Sequence, residues 1–160
     1  MPKHRYLTIY VLCCAVLAPA QQPKKDKMTH HATGPFEVKL TPPTPEAANP
    51  PVGRTTIEKQ FHGELEAVSQ GQMLSALTST KGSAGYVAIE IVKGTLGGHK
   101  GTFVLQHSGT MDRGKSQLNV TVVPDSGTDE LRGLSGSMKI RNEPGGKHFY
   151  DFDYQIATAP

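Results

Sequence analysis

Residues 82–111 read G-S-A-G-Y-V-A-I-E-I-V-K-G-T-L-G-G-H-K-G-T-F-V-L-Q-H-S-G-T-M. Two runs rich in β-branched and aromatic residues, 86–93 and 102–110, flank a turn region carrying Gly94, Gly97, Gly98 and Gly101. Alternating apolar residues on either side of a glycine-rich turn predict a β-hairpin. On the first run Glu90 shares a face with Tyr86 and Ala88, while Val87, Ile89 and Ile91 form the other. On the second, His107 shares a face with Phe103, Leu105 and Gly109. A carboxylate and an imidazole therefore stand among residues that pack inward.

The same two-residue period recurs on both sides of the hairpin. Upstream, Phe36, Val38 and Leu40 alternate with polar residues in a first strand. The following T-P-P-T-P-E-A-A-N-P-P-V-G holds five prolines, which remove ladder donors, and reads as a surface loop. A strand over 54–61 places Ile57 and Phe61 on one face. Strands over 64–69 and 73–80 are expected next, with Gln70-Gly71-Gln72 as the turn between them. Downstream, Asp112-Arg113-Gly114-Lys115 is a turn, and Leu118, Val120 and Val122 alternate until Pro124. In 126–133, Thr128 as a cap, acidic residues in the first turn and Gly133 as the stop predict one short helical turn. Strands over 137–141 and 148–156 complete the chain, the last aligning His148, Tyr150, Phe152, Tyr154 and Ile156. Short strands joined by tight turns, with no long helix, make this an all-β chain. A closed antiparallel β-barrel of about eight strands, with one short helical turn, also removes the exposed edges that such a chain must otherwise protect.

The first twenty residues follow the order of a secretory signal peptide: basic Lys3 and Arg5, an apolar run from Leu7 to Ala18, and the small-x-small ending Ala18-Pro19-Ala20. Export to the periplasm or exterior after cleavage near Ala20 is expected, and the run is short for a permanent membrane span. A start at Met28 gives the alternative, a cytoplasmic protein. The domain organisation is then a signal peptide over 1–20, a disordered lead over 21–33 and a single barrel domain over 34–157. Both cysteines, Cys13 and Cys14, fall in the signal segment, so thiol chemistry and cysteine-held metals are not expected of the exported chain. The net charge of +3 also comes from the leader, since without residues 1–33 there are twelve Lys and Arg against thirteen Asp and Glu. A nearly neutral domain without a basic face argues against nucleic acid as a partner.

Several stretches together carry a resemblance. T-G-P-F-E-V-K-L, F-H-G-E-L-E-A, G-S-A-G-Y-V-A-I-E, G-T-F-V-L-Q-H-S-G-T-M, V-T-V-V-P-D-S-G-T-D-E-L-R-G-L-S-G and K-H-F-Y-D-F-D-Y occur in that order. Over residues 32 to about 156 the chain resembles a bacterial family of small proteins classed only as a domain of unknown function. The resemblance implies a fold similar to the allene oxide cyclase barrel, closed and antiparallel with about eight strands. It implies no activity, and no catalytic pattern of the cyclase maps onto this chain.

Isolated motifs reduce to turns. Gly109-Thr110-Met111-Asp112-Arg113-Gly114-Lys115-Ser116 fits the phosphate-loop pattern, but strand follows it where a helix N-terminus is required. Gly133-Leu134-Ser135-Gly136-Ser137 lacks the surroundings of a nucleophile elbow. The histidines show no metal-binding spacing, and neither a metal nor another cofactor is expected. Glu90 and His107 remain. Facing into an apolar lumen on adjacent strands, they could meet and shift one another's acidity. The plainer alternative, which the usual exposure of carboxylates favours, turns Glu90 to solvent and leaves His107 as a core residue. No catalytic residue is assigned, and Glu90 and His107 are the only weak candidates. The leading expectation is a non-enzymatic binder of a small, largely apolar ligand, lined by Tyr86, Glu90, Phe103, Leu105, His107, Tyr150, Phe152 and Tyr154. An isomerase or cyclase-like enzyme using Glu90 and His107 is one alternative. The other is a filled barrel acting through its surface or as a homo-oligomer.

Overall fold

The computed structural model describes residues 28–42 and 52–157. The expected signal segment and most of the proline-rich loop lie outside the described residues. Eight strands follow in chain order: β1 His30–Thr41, β2 Gly53–Phe61, β3 Leu65–Leu77, β4 Ala84–Leu96, β5 His99–Asp112, β6 Lys115–Val122, β7 Leu134–Glu143 and β8 Lys147–Ile156. Each pairs antiparallel with the next, and β8 returns to β1 to close the barrel. The sequence alternation is the cause. One face of every strand is largely apolar, and closing the sheet turns those faces toward a single lumen without leaving an edge.

The central hairpin is longer and tighter than its sequence suggests. β4 and β5 pair from Ala84–Met111 to Leu96–His99, and only Gly97 and Gly98 turn, both at positive φ. Gly94 and Gly101 are paired strand residues. Three further expectations are corrected. β1 begins at His30, before the expected boundary at 34, because Ala32 enters the core and His30–Thr33 pair with the end of β8. Leu40 is exposed at the far end of that strand and does not join the core. Gln70-Gly71-Gln72 is no turn, since β3 runs unbroken through it. Gly71 instead permits a close approach: a Cβ there would overlap the Ile89 carbonyl oxygen and lie 2.6 Å from Glu90 Cβ.

The short helical turn is a 3₁₀ turn over Asp129–Leu131. The Thr128 side chain does not cap it; its Oγ1 accepts a hydrogen bond from the Thr102 amide at 2.9 Å, tying the turn to β5. This delivers Leu131, 1% exposed, to one end of the barrel beside Leu65, Leu96 and Leu134. Phe103, Phe152 and Tyr154 stack there, with centroids 6.0 and 5.4 Å apart. The Tyr150 hydroxyl donates to the His62 carbonyl at 3.0 Å and accepts from the Leu65 amide at 2.9 Å, pinning the β2–β3 turn. Each such buried side chain contributes roughly 1.5–3 kcal/mol, so this end is the main reservoir of stability.

The opposite end is open by comparison. Inward positions Val38, Met73, Tyr86 and Ile140 are half-buried, and Leu118 is 40% exposed. The β6–β7 junction is also slight, with Thr121–Ser137 as its one bridged pair among the described residues, whereas every other junction pairs over a long stretch. The lumen thus grades from sealed to accessible along the barrel axis.

Gly71→Val tests the close approach. The added side chain meets backbone, which cannot yield as a flexible tip can, and a loss of roughly 1–3 kcal/mol is expected in urea unfolding.

Candidate functional site

At mid-barrel the inward rows of β2, β3, β4 and β5 contribute Lys59, Ser69, Glu90 and His107. Lys59 pairs in register with Ser69, and Gly71 with Glu90. Because Gly71 has no side chain, the Glu90 carboxylate can lean across β3 toward β2. Its Oε1 accepts from Lys59 Nζ at 2.6 Å and from His107 Nε2–H at 2.7 Å, and its Oε2 accepts from Ser69 Oγ at 2.7 Å. Glu90 is fully buried, and Lys59 and His107 are 8% and 3% exposed. The Lys59 ammonium lies 5.5 Å from the Phe36 ring centroid and 5.7 Å from that of Phe61, so aromatic faces cover part of the charge that water has lost.

Burial opposes ionisation of Glu90, but the His107 hydrogen bond and the positive charge of Lys59 outweigh it and hold the carboxyl at about 2. Glu90 is therefore a fixed anion at neutral pH. Tyr86 stands one inward position from His107 toward the open end, its ring lying over Gly109, where a Cβ would collide with it. Burial and then the charge of Glu90 push its phenol above the ordinary tyrosine range. His107 Nδ1 has no hydrogen-bond partner among the described residues, and it borders the accessible half of the lumen.

The structure brings Tyr86, Glu90 and His107 together, and the solvent-facing alternative for Glu90 does not hold. Of the other expected lining residues, Leu105, the cross-strand partner of Glu90, borders this cluster from the sealed side, and Phe103, Tyr150, Phe152 and Tyr154 fill the sealed half with the rest of the core. Lys59 and Ser69 escaped the sequence reading, although a signal existed. Lys59 lies between Ile57 and Phe61 on the inward register of its strand, and Ser69 continues the row of Leu65 and Ala67. A lysine in an apolar row calls for a buried anion. Among the described residues no group of His, Cys, Asp and Glu is arranged to hold a metal ion; no helix of the described residues is long and apolar enough to cross a membrane.

Two measurements probe the cluster. Lys59→Met leaves Glu90 short of its cation and is expected to cost roughly 3–5 kcal/mol, whereas Lys59→Met combined with Glu90→Leu should recover most of that loss. The second is acid unfolding. The folded carboxyl titrates at about 2 against 4.5 for the ordinary group. Its contribution is thus fully present above pH 4.5 and lost as pH falls through 4.5 toward 2. The stability gap between wild type and Glu90→Gln should close over that window.

Three comparisons place the chain among known proteins. The family described as a protein of unknown function, DUF3224, matches residues 32–154. No curated protein matches. A crystal structure of a protein with unknown function from the same family, from Shewanella oneidensis MR-1, is similar at 51% identity with a TM-score of 0.76, over 82% of this chain and 100% of that one. The chain, whose described residues form an eight-stranded barrel, belongs to the DUF3224 family.

Proposed function

We propose that the barrel is a non-enzymatic binder of a small amphiphilic molecule, taken into the open half of the lumen with its polar head on the mid-barrel cluster. The observation that carries this reading is a nine-tenths-buried imidazole, His107, whose Nδ1 lacks a partner among the described residues, on the side where the inward residues Val38, Met73, Tyr86 and Ile140 are only half-buried. A buried ionic cluster is a weak source of stability, since apolar residues of the same volume usually do as well. Retaining Lys59, Glu90 and His107 there fits a role in recognition.

The chemistry of the head follows from the groups that face it. Lys59 spends one ammonium hydrogen on Glu90, and the Tyr86 hydroxyl has no partner among the described residues. Spare donors favour a head with oxygen acceptors, such as a carboxylate or carbonyl. Val38, Met73, Leu118 and Ile140 suit an apolar tail. The slight β6–β7 junction, flanked by Leu118 and Ile140, gives a lateral way in.

Binding is favoured over proton transfer by Glu90 because a carboxylate held at about 2 is too weak a base to abstract protons near neutral pH. An isomerase reading therefore shifts to His107, oriented by Glu90 through the 2.7 Å hydrogen bond, with Nδ1 as the acid–base atom. Thermal unfolding with straight-chain carboxylates of graded length, and with the matching alcohols, tests the proposal. Carboxylates are expected to raise the melting temperature more than alcohols, with roughly 2.7 kcal/mol gained at a hundred times Kd. His107→Leu should abolish that difference. An unshifted wild type, or equal shifts in His107→Leu, counts against binding at this site; a recovered ligand of unchanged mass but altered chromatographic retention and NMR spectrum would favour the isomerase reading.

A further inference from the structure

The outer surface of β3, β4 and β5 breaks the polar rule that governs the rest of the barrel exterior. Val87, Ile89 and Ile91 succeed one another on the outward face of β4, 54%, 48% and 57% exposed. Leu74 on β3 pairs with Val87, and Val104 on β5 pairs with Ile91, so the apolar strip widens onto both neighbours. Val68, on the rung beyond Ile91, extends it into a groove of about 830 Å³ bounded by Lys93, Lys100, Thr102 and Glu130. The exposed aliphatic side chains present on the order of 400 Å² together, a patch of the size that marks an interaction surface on a small protein.

We infer that this face is the interface of a two-fold homodimer, with the symmetry axis lying along β4. A closed barrel offers no free strand edge, so association must proceed by packing of faces. An isologous contact requires a self-complementary surface, and the flanking charges Glu66 and Lys100 supply it on either side of Lys93, which lies on the axis. Glu66 of β3, Thr95 of β4 and Lys100 of β5 occupy a single rung. Rotation by 180° about an axis along β4 exchanges the β3 and β5 sides. Glu66 then faces Lys100 of the partner subunit, and Lys100 faces the partner's Glu66, while Val87, Ile89, Ile91 and, one rung further, Lys93 meet their own copies on the axis. The same operation sets Gln72 against Gln106, two neutral amides that can hydrogen-bond across the rim. Glu66 lies 3.3 Å from His62 Nδ1 of its own chain, an exposed contact, and the Lys100 ammonium has no ion-pair partner among the described residues.

Sedimentation equilibrium of the full chain decides the matter. A species of twice the 17.2 kDa chain mass is expected at micromolar concentration. Ile89→Asp with Ile91→Asp should convert it to monomer while far-UV circular dichroism stays unchanged, since both side chains point away from the core. Should that variant fail to fold, the charge exchange decides instead. Glu66→Lys should weaken the dimer at least tenfold, and Glu66→Lys with Lys100→Glu should restore it. A monomeric wild type overturns the inference, as does a dimer that survives the folded aspartate variant or ignores the charge exchange.

Discussion

An ionised carboxylate fixed at the centre of an apolar barrel is the constraint on which the middle of this molecule depends. Glu90 is fully buried, yet its two oxygens are served by Lys59, Ser69 and His107, drawn from three other strands. Coulomb attraction in so poorly screened a place is strong, and so is the cost of leaving either charge alone. The cluster therefore fixes the relative positions of β2, β3, β4 and β5 as a set. It also explains Gly71. Any side chain opposite Glu90 would block the carboxylate from reaching across β3.

Around that centre the barrel divides its labour. One half is a packed core of leucines and stacked aromatic rings, closed by Leu131 on its 3₁₀ turn and by the Tyr150 hydrogen bonds at the β2–β3 turn. The other half keeps inward residues only partly buried and joins β6 to β7 through a single bridged pair, Thr121–Ser137, among the described residues. Apolar burial is surrendered there, and a rigid closed half makes that affordable. Rigid scaffold and accessible mouth are the arrangement in which small barrels hold ligands. The DUF3224 relative at 51% identity over its whole length extends the fold beyond this chain and leaves the chemistry of the lumen to be argued from its residues.

Much of this was legible in the amino-acid order. The alternation of Phe36 and Val38, of Tyr86, Ala88 and Glu90, and of Tyr150, Phe152 and Tyr154 determined an all-β chain with one apolar face per strand. Asp112-Arg113-Gly114-Lys115 and the glycine-rich run from Gly94 to Gly101 marked the turns, although only the closed ladder narrowed the second to Gly97 and Gly98. Glu90 and His107 could be singled out because each interrupts an apolar row with an ionisable group.

Tertiary structure decided what those interruptions do. Whether Glu90 points in or out is a choice between two faces of equal period, and only the burial of Lys59 from a strand thirty residues away tips it, by supplying the counter-charge. The role of Gly71 was hidden for the same reason: a glycine that makes a turn and a glycine that makes room look alike until the neighbouring strand is in place. The aromatic residues expected to line a cavity proved to fill one, since sequence alternation assigns a residue to the lumen but not to its sealed or open end. That distinction arises from strand stagger and from where Leu131 plugs the barrel, and both are properties of the closed sheet rather than of any single strand.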